Sequence, residues 1–473
     1  MPNQLVYIKK IIRSCQDFLV FPGILRHGIC MNYTSFSRRS FLKTLGAATL
    51  AAPFITRNLI AAPPSERVRF ASFGTAHMAR ADINEIISHP NVDYVAAADV
   101  DTNYLKEIKS AHPDLKVYTD YRELLDKEKN IDCLNVSTPD HTHAIMAMSA
   151  MKRGIHIYCQ KPMAHDLYEV RKLTQYAARH KIITQMGIQI HSHELYRNTV
   201  KLIQEGIIGK IKETWSWQSA VYGSKETLPT TADPIPSNLY WDLWLNVAKE
   251  RPYLAKFYHP GVWRHILDLG TGAFGDFGCH IFDNVFSALE LKSPITVRSE
   301  CDETPNESFW QTRTAIDYVF PGTKYTADKT IHVHWYDGAE RPPQEIIDLI
   351  GGIPGAGSLF MGTDGFFLIP HWSMPTIFKK NGDKYEKVPE VEKLITLPAN
   401  NHWHQFINAV RGEDKTSAGF DYAGPLTEGV LLGSVACRFP KTTLKWRARS
   451  MKFDLKEANK YVKRDYRPGW GKL

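Results

Sequence analysis

From residue 68 onward, short apolar runs alternate with longer segments whose apolar positions recur every three to four residues. Residues 68–73 (Val-Arg-Phe-Ala-Ser-Phe) read as a strand that ends in a turn at Gly74. Residues 76–88 read as a helix, 92–98 as a second strand and 102–111 as a second helix. A further apolar strand is predicted at 131–136, a helix at 141–153 ending on Gly154, a strand at 155–159 and a helix at 165–180. This alternation predicts βαβ units around a parallel sheet with right-handed crossovers. The second half reads differently. Strands are expected at 211–220, 295–299, 314–320, 331–335 and 358–368, without a helix between each pair.

The first sixty residues follow neither pattern. Ser37-Arg38-Arg39-Ser40-Phe41-Leu42-Lys43 is a twin-arginine signature, followed by a mostly apolar stretch over 45–55 and the small pair Ala61-Ala62. That order predicts an export signal and a periplasmic destination. Met31 is an alternative start. Residues 1–62 carry eight Lys/Arg against the single acid Asp17, so nearly all of the formal net charge of +8 falls there. The remainder is close to neutral, which argues against nucleic acid or membrane surfaces as partners. No run of about 18 apolar residues predicts a membrane span after the signal. A length of 473 residues at 43% hydrophobic content suits two domains. Past the signal, five cysteines remain, far apart and without a CxxC spacing, so they are expected to be buried thiols.

The turn after the first strand carries the first chemical expectation. Gly74-Thr75-Ala76-His77-Met78-Ala79 stands where a G-x-G-x-x-G/A phosphate-binding turn belongs, with Ala at the second and third glycine positions. It follows a strand and opens a helix, whose N-terminus can receive a phosphate. Asp99 ends the next strand, where an acid commonly binds ribose hydroxyls. Asp99 with no Arg beside it favours NAD, with NADP as the alternative. The bland reading makes Asp99 a loop aspartate, with Asp101 capping the following helix.

Two further segments give this turn a context. Ser137-Thr138-Pro139-Asp140-His141-Thr142-His143 is followed by Gln160-Lys161-Pro162, and Gly275-Asp276-Phe277-Gly278-Cys279-His280 lies in the second half. Together these resemble the Gfo/Idh/MocA oxidoreductases (the glucose–fructose oxidoreductase and inositol dehydrogenase type), in a secreted, twin-arginine branch. That family shows T-P-x-x-x-H, E-K-P and D-x-G-x-H in this order. The Glu of E-K-P is Gln160 here. The resemblance implies a Rossmann domain over 63–190, after an export segment over 1–62. It also implies a C-terminal α/β domain with an open, mostly antiparallel sheet over 191–473, serving substrate binding and assembly into a dimer or tetramer.

By the same resemblance, Lys161 is the catalytic lysine at the reacting oxygen. His280 is the general base, with a pKa near working pH. Asp276 lies one helical turn earlier, on the same face, and is expected to bind a substrate hydroxyl and orient His280. Gly74, Thr75, Ala76, His77, Met78, Asp99, Ser137, Thr138, Pro139, His143, Gln160, Lys161 and Gln189 are the expected cofactor-binding residues. His143 can equally be a structural residue. Trp263 and Arg264, with Lys161, Asp276 and His280, are the expected substrate contacts, and His191 and His193 are further candidates. The aromatics of 240–263 suit sugar stacking and core packing equally. No metal-binding spacing is present; His332 and His334 share one strand face, but no ligand partner is evident.

The implied activity is NAD(P)-dependent hydride transfer at a hydroxyl carbon of a sugar, glycoside or cyclitol, a role in carbohydrate metabolism. Two alternatives stay open. One is an NAD-dependent glycosidase or lyase that works by transient oxidation with a tightly held cofactor. The other is a non-catalytic sugar-binding protein.

Overall fold

The computed structural model describes residues 67–473. The export segment and its twin-arginine signature lie outside the described residues. The first half runs β1 (Val68–Phe73), α1 (Met78–Ile87), β2 (Val92–Ala98), α2 (Thr102–Ala111), β3 (Lys116–Tyr118), α3 (Tyr121–Lys127), β4 (Cys133–Val136), α4 (Asp140–Met151), β5 (His156–Cys159), α5 (Leu167–His180) and β6 (Thr184–Met186). All its strand pairs are parallel, in the order β3-β2-β1-β4-β5-β6. This is a doubly wound Rossmann sheet, whose ligand crevice lies at the strand ends where the order reverses, between β1 and β4. The pair β3 and α3 escaped the hydrophobic pattern because both are short. Asp120 caps α3, and Tyr121, Leu124 and Leu125 are its buried face.

The second half runs α6 (Glu194–Gln204), β7 (Ile211–Gln218), α7 (Trp241–Leu245), α8 (Gly272–Leu289), β8 (Thr296–Ser299), β9 (Thr314–Pro321), β10 (Thr330–Asp337), α9 (Gln344–Leu349), β11 (Ala356–Gly362), β12 (Gly365–Pro370), β13 (Thr376–Asn381), β14 (Lys384–Lys387), α10 (His402–Val410), α11 (Phe420–Ala436), β15 (Thr443–Arg447) and β16 (Lys452–Phe453). Its strands form one sheet in the order β14-β13-β12-β11-β7-β10-β9-β8-β15-β16, antiparallel except for β7 against β10. The run 358–368, expected as one strand, is instead the hairpin β11–β12. Thr363 and Asp364 turn it, their N–H groups donating to the carbonyls of Lys210 and Ile208 at 2.9 and 3.0 Å.

One face of this sheet is covered by α8 and α11. Phe274 and Phe282 of α8 pack on Trp335, and the Tyr318 hydroxyl donates to the Gly429 carbonyl at 2.8 Å. The chain then returns to the first half. Trp403 of α10 donates to Asp82 of α1, and the Phe420 N–H donates to Thr184 at the edge of the Rossmann sheet. The five cysteines of the described residues are free and buried. No helix of the described residues is long and apolar enough to cross a membrane.

Candidate active site

The Gly74 turn is tight because of what lies beneath it. Gly74 has φ +86, and a Cβ there would stand 2.4 Å from the Ser137 carbonyl oxygen. Only glycine meets both demands. The α1 N-terminus that follows has no side-chain cap, so its first N–H groups are left for another acceptor. Ala76 is half-buried, and His77 and Met78 are exposed at the crest. These features fit a dinucleotide's pyrophosphate. Thr75 is turned inward: its N–H and hydroxyl donate to Asp99 at 2.9 and 3.0 Å. Asp99 also accepts from the Asp101 N–H, and burial pushes its carboxyl up against the pull of these bonds. Asp101 is the cap of α2.

Beyond β4, the Thr138–His143 segment is a hub of backbone ties. Asp140 accepts from the N–H and hydroxyl of Thr271, just ahead of α8, at 3.1 and 2.7 Å. His141 reaches the carbonyls of Trp244 and Leu269. His143 corrects an expectation. Rather than lining a cofactor it is buried, with its ring nitrogens 2.8 Å from the Pro162 carbonyl and 2.7 Å from that of Thr138. It ties the Thr138 loop to the Gln160–Pro162 turn. Thr138 hydrogen-bonds Thr142 and stays half-exposed with Ser137 and Pro139.

Gln160 is also buried, and the structure supplies a reason for an amide there. Its Nε2 donates to Asp82 at 2.9 and 3.2 Å. Ser137 Oγ and Trp403 Nε1 donate to the same carboxylate at 2.7 and 2.9 Å, and Gln189 lies beside it. Burial pushes the Asp82 carboxyl up to about 6 against these hydrogen bonds. A glutamate at 160 would set two carboxylates face to face. Gln160→Glu alone is therefore expected to lower stability by about 1–3 kcal/mol. Pairing it with Asp82→Asn, which restores one donor to one acceptor, should recover most of that loss in thermal melts. Additive losses in the double variant would contradict this.

The Gln160–Pro162 turn leads Lys161 to α8. The Lys161 ammonium forms a very short ion pair with Asp276, and also donates to its backbone carbonyl at 3.2 Å. Arg264 Nε lies 3.3 Å from the same carboxylate oxygen. Gly270 permits this approach, since a Cβ there would stand 2.5 Å from Arg264 Cα. Burial alone would raise the Asp276 carboxyl, but the Lys161 and Arg264 cations outweigh it and hold it well below the usual carboxylate range.

His280 lies one turn along α8 from Asp276. Its Nδ1 is buried without a hydrogen-bond partner. Burial first, and then the Lys161 and His371 charges, push the imidazole well below its ordinary value. The expectation of a pKa near working pH is thus corrected; the ring is neutral. Trp263 is corrected too. It is buried in a cluster with Leu239, Trp241, Trp244, Tyr253 and Tyr258, and the Arg264 guanidinium stacks 4.2 Å over its ring. Trp263 supports Arg264 from behind, and most of the 240–263 aromatics are core.

Sequence reasoning missed three residues at this site. His371, just past β12, faces the His280 ring at 6.3 Å and is hydrogen-bonded to the Tyr196 hydroxyl at 2.9 Å. Trp372 beside it is 53% exposed and packs edge-on against His193. Asp82 is the third. His371-Trp372 follows a strand end without a motif, and only the sheet brings it to α8. His191 pairs with Asp283 at 2.8 Å, an interaction that Tyr422 shares.

A Rossmann half whose lysine pairs with a carboxylate of the second half, one helical turn from a histidine, has the layout of a two-domain oxidoreductase. Residues 68–188 match the NAD-binding Rossmann fold of the Gfo/Idh/MocA oxidoreductase family, and residues 196–324 match its C-terminal α/β domain. The chain belongs to that family, and its first domain is of the NAD-binding kind. It is 25% identical over 165 residues to the levoglucosan dehydrogenase of Pseudarthrobacter phenanthrenivorans, covering 35% of this chain and 34% of that protein. It is 26% identical over 204 residues to a glycosyl hydrolase family 109 protein of Shewanella, covering 37% and 44%. The matched stretch is thus under half the length of either relative. The WlbA dehydrogenase of Bordetella pertussis, solved with NADH and UDP-GlcNAcA, superposes with a TM-score of 0.60 at 14% identity, over 81% of this chain and 98% of that one.

Proposed function

We propose that this protein transfers a hydride between a bound nicotinamide cofactor and a hydroxyl-bearing carbon of a sugar, glycoside or cyclitol. The observation that carries the reading is the ion pair of Lys161, from the end of the Rossmann sheet, with Asp276, one helical turn from His280 on α8. NAD supplies the hydride acceptor when bound, held by the Gly74 turn, the α1 N-terminus and the Thr138 loop. Lys161 hydrogen-bonds the reacting oxygen and stabilises the alkoxide as the hydroxyl proton leaves. His280, held neutral by burial and the Lys161 cation, takes that proton. Asp276 stays ionised between Lys161 and Arg264, holding the ammonium in place and accepting from a neighbouring substrate hydroxyl.

Trp372 provides the apolar platform for a sugar ring. Trp372→Ala is expected to raise KM about tenfold with kcat nearly unchanged, the size of one lost stacking contact. A fall in kcat with constant KM would assign Trp372 elsewhere. We further infer that the chain is exported and periplasmic through its twin-arginine segment and works as a homo-oligomer. Free NAD is scarce outside the cytoplasm, which favours a retained cofactor.

The likeness to a family 109 glycosyl hydrolase protein supports a second reading, in which oxidation is transient and the aglycone is eliminated. One experiment separates them. Nucleotide is extracted from purified protein, and the protein is then assayed with added NAD and a sugar panel, and with chromogenic glycosides. Net NAD reduction supports the dehydrogenase. Aglycone release without net reduction supports the glycosidase. Absence of bound nucleotide and of both activities overturns both and favours the non-catalytic sugar-binding alternative.

A further inference from the structure

The sheet face opposite α8 carries chemistry that the proposed reaction does not use. Alternation along β10 turns Ile331, Val333 and Trp335 into the core and leaves His332 and His334 on the outer face. The neighbouring strands add carboxylates. Asp317 of β9 is the cross-strand partner of His334, and Glu213 of β7 is the partner of His332.

We propose that Asp317, His332 and His334 bind one divalent transition metal ion of the zinc, cobalt or nickel class. His332 Nδ1 lies 2.9 Å and His334 Nδ1 3.3 Å from the same Asp317 oxygen, and one ligand atom from each residue lies within 4.8 Å of the others. Ligand atoms around a tetrahedral zinc stand about 3.4 Å apart, given bonds of about 2.1 Å. The three donors are therefore close to a coordination shell before any ion arrives. Two imidazoles and one carboxylate select this metal class over calcium or magnesium, which take oxygen ligands.

The supporting groups fit as well. His334 Nε2 is 2.6 Å from Glu213 Oε1, and the ring stacks on Trp215 at 5.4 Å. A neutral imidazole carries one N–H. Donated to Glu213, it leaves the Nδ1 lone pair facing Asp317, and a cation between them satisfies both. A carboxylate behind a ligating histidine is the usual outer support of such sites. The ligands come from adjacent, hydrogen-bonded strands, so binding needs side-chain movement only. Trp335, on the same strand, faces the opposite side and packs on α8, which separates this site from Lys161 and His280.

The test uses the full chain without a histidine tag, stripped with chelator and titrated with cobalt(II) by visible absorption and with zinc by calorimetry. One equivalent should bind, with a tetrahedral cobalt spectrum lacking thiolate charge transfer. His332→Ala/His334→Ala should abolish it, and Glu213→Gln should weaken it about tenfold. Zinc should raise the Tm of the wild type and leave that of the double variant unchanged. Asp317→Asn, which keeps the side chain's size, guards against a folding artefact and should also lose the equivalent. No stoichiometric binding by the wild type, or equal binding by wild type and double variant, overturns the proposal.

Discussion

Lys161→Met is expected to lower kcat by about a thousandfold while leaving cofactor retention intact, because it removes the ammonium that hydrogen-bonds the reacting oxygen. The side chain is nearly buried and its ammonium lies against Asp276. Methionine keeps the length and the packing but can neither donate a hydrogen bond nor carry charge. The carboxylate left behind retains Arg264, so the site keeps one of its two cations and the fold should persist. The readout is single-turnover hydride transfer monitored by nicotinamide absorbance, with a thermal melt as control. Asp276→Asn should cost less, and the double variant little more than Lys161→Met alone, since the two residues act as one unit. A Lys161→Met enzyme within tenfold of wild type would remove the lysine from the chemistry.

The second large effect concerns His280. His280→Gln is expected to lower kcat about a hundredfold with KM little changed, the scale of a lost general base. The pH profile gives the sharper test. Burial and the Lys161 cation push the imidazole well below its ordinary value, so the neutral, proton-accepting form persists as pH falls. The acid limb of kcat/KM should therefore lie well below pH ~6.5. Removing a nearby cation should move that limb upward, so Lys161→Met, where residual activity permits, should show it closer to the ordinary histidine value. A wild-type limb centred near pH ~6.5 would mean that an exposed histidine, and not His280, titrates in the rate.

How much of this was legible beforehand follows from the range of each interaction. The Gly74 turn and the strand–helix alternation are local, set by backbone sterics and by periodicities of 2 and 3.6 residues. The motif residues Lys161, Asp276 and His280 could be picked out through family resemblance, although 115 residues separate the first two. Gln160 departs from the family's E-K-P pattern. The structure shows that its partner is Asp82, 78 positions away, which needs a donor. His143 and Trp263 carry the right chemistry for a site, yet the packing buried both. Thr363 and Asp364 hid a reversal inside an apolar run.

The chain by itself therefore determined the class of fold, the turn that only glycine can make, and the identity of the residues that converge on α8. The first two rest on steric and hydrophobic rules that act over a few residues; the third came through resemblance to the family's motifs. Only the tertiary structure decided which polar side chains face the cleft and which serve as struts, how far burial shifts His280 and Asp82, and that Asp317 meets His332 and His334. Burial and cross-strand register depend on segments far apart in sequence, and the energy of a charge depends on what surrounds it.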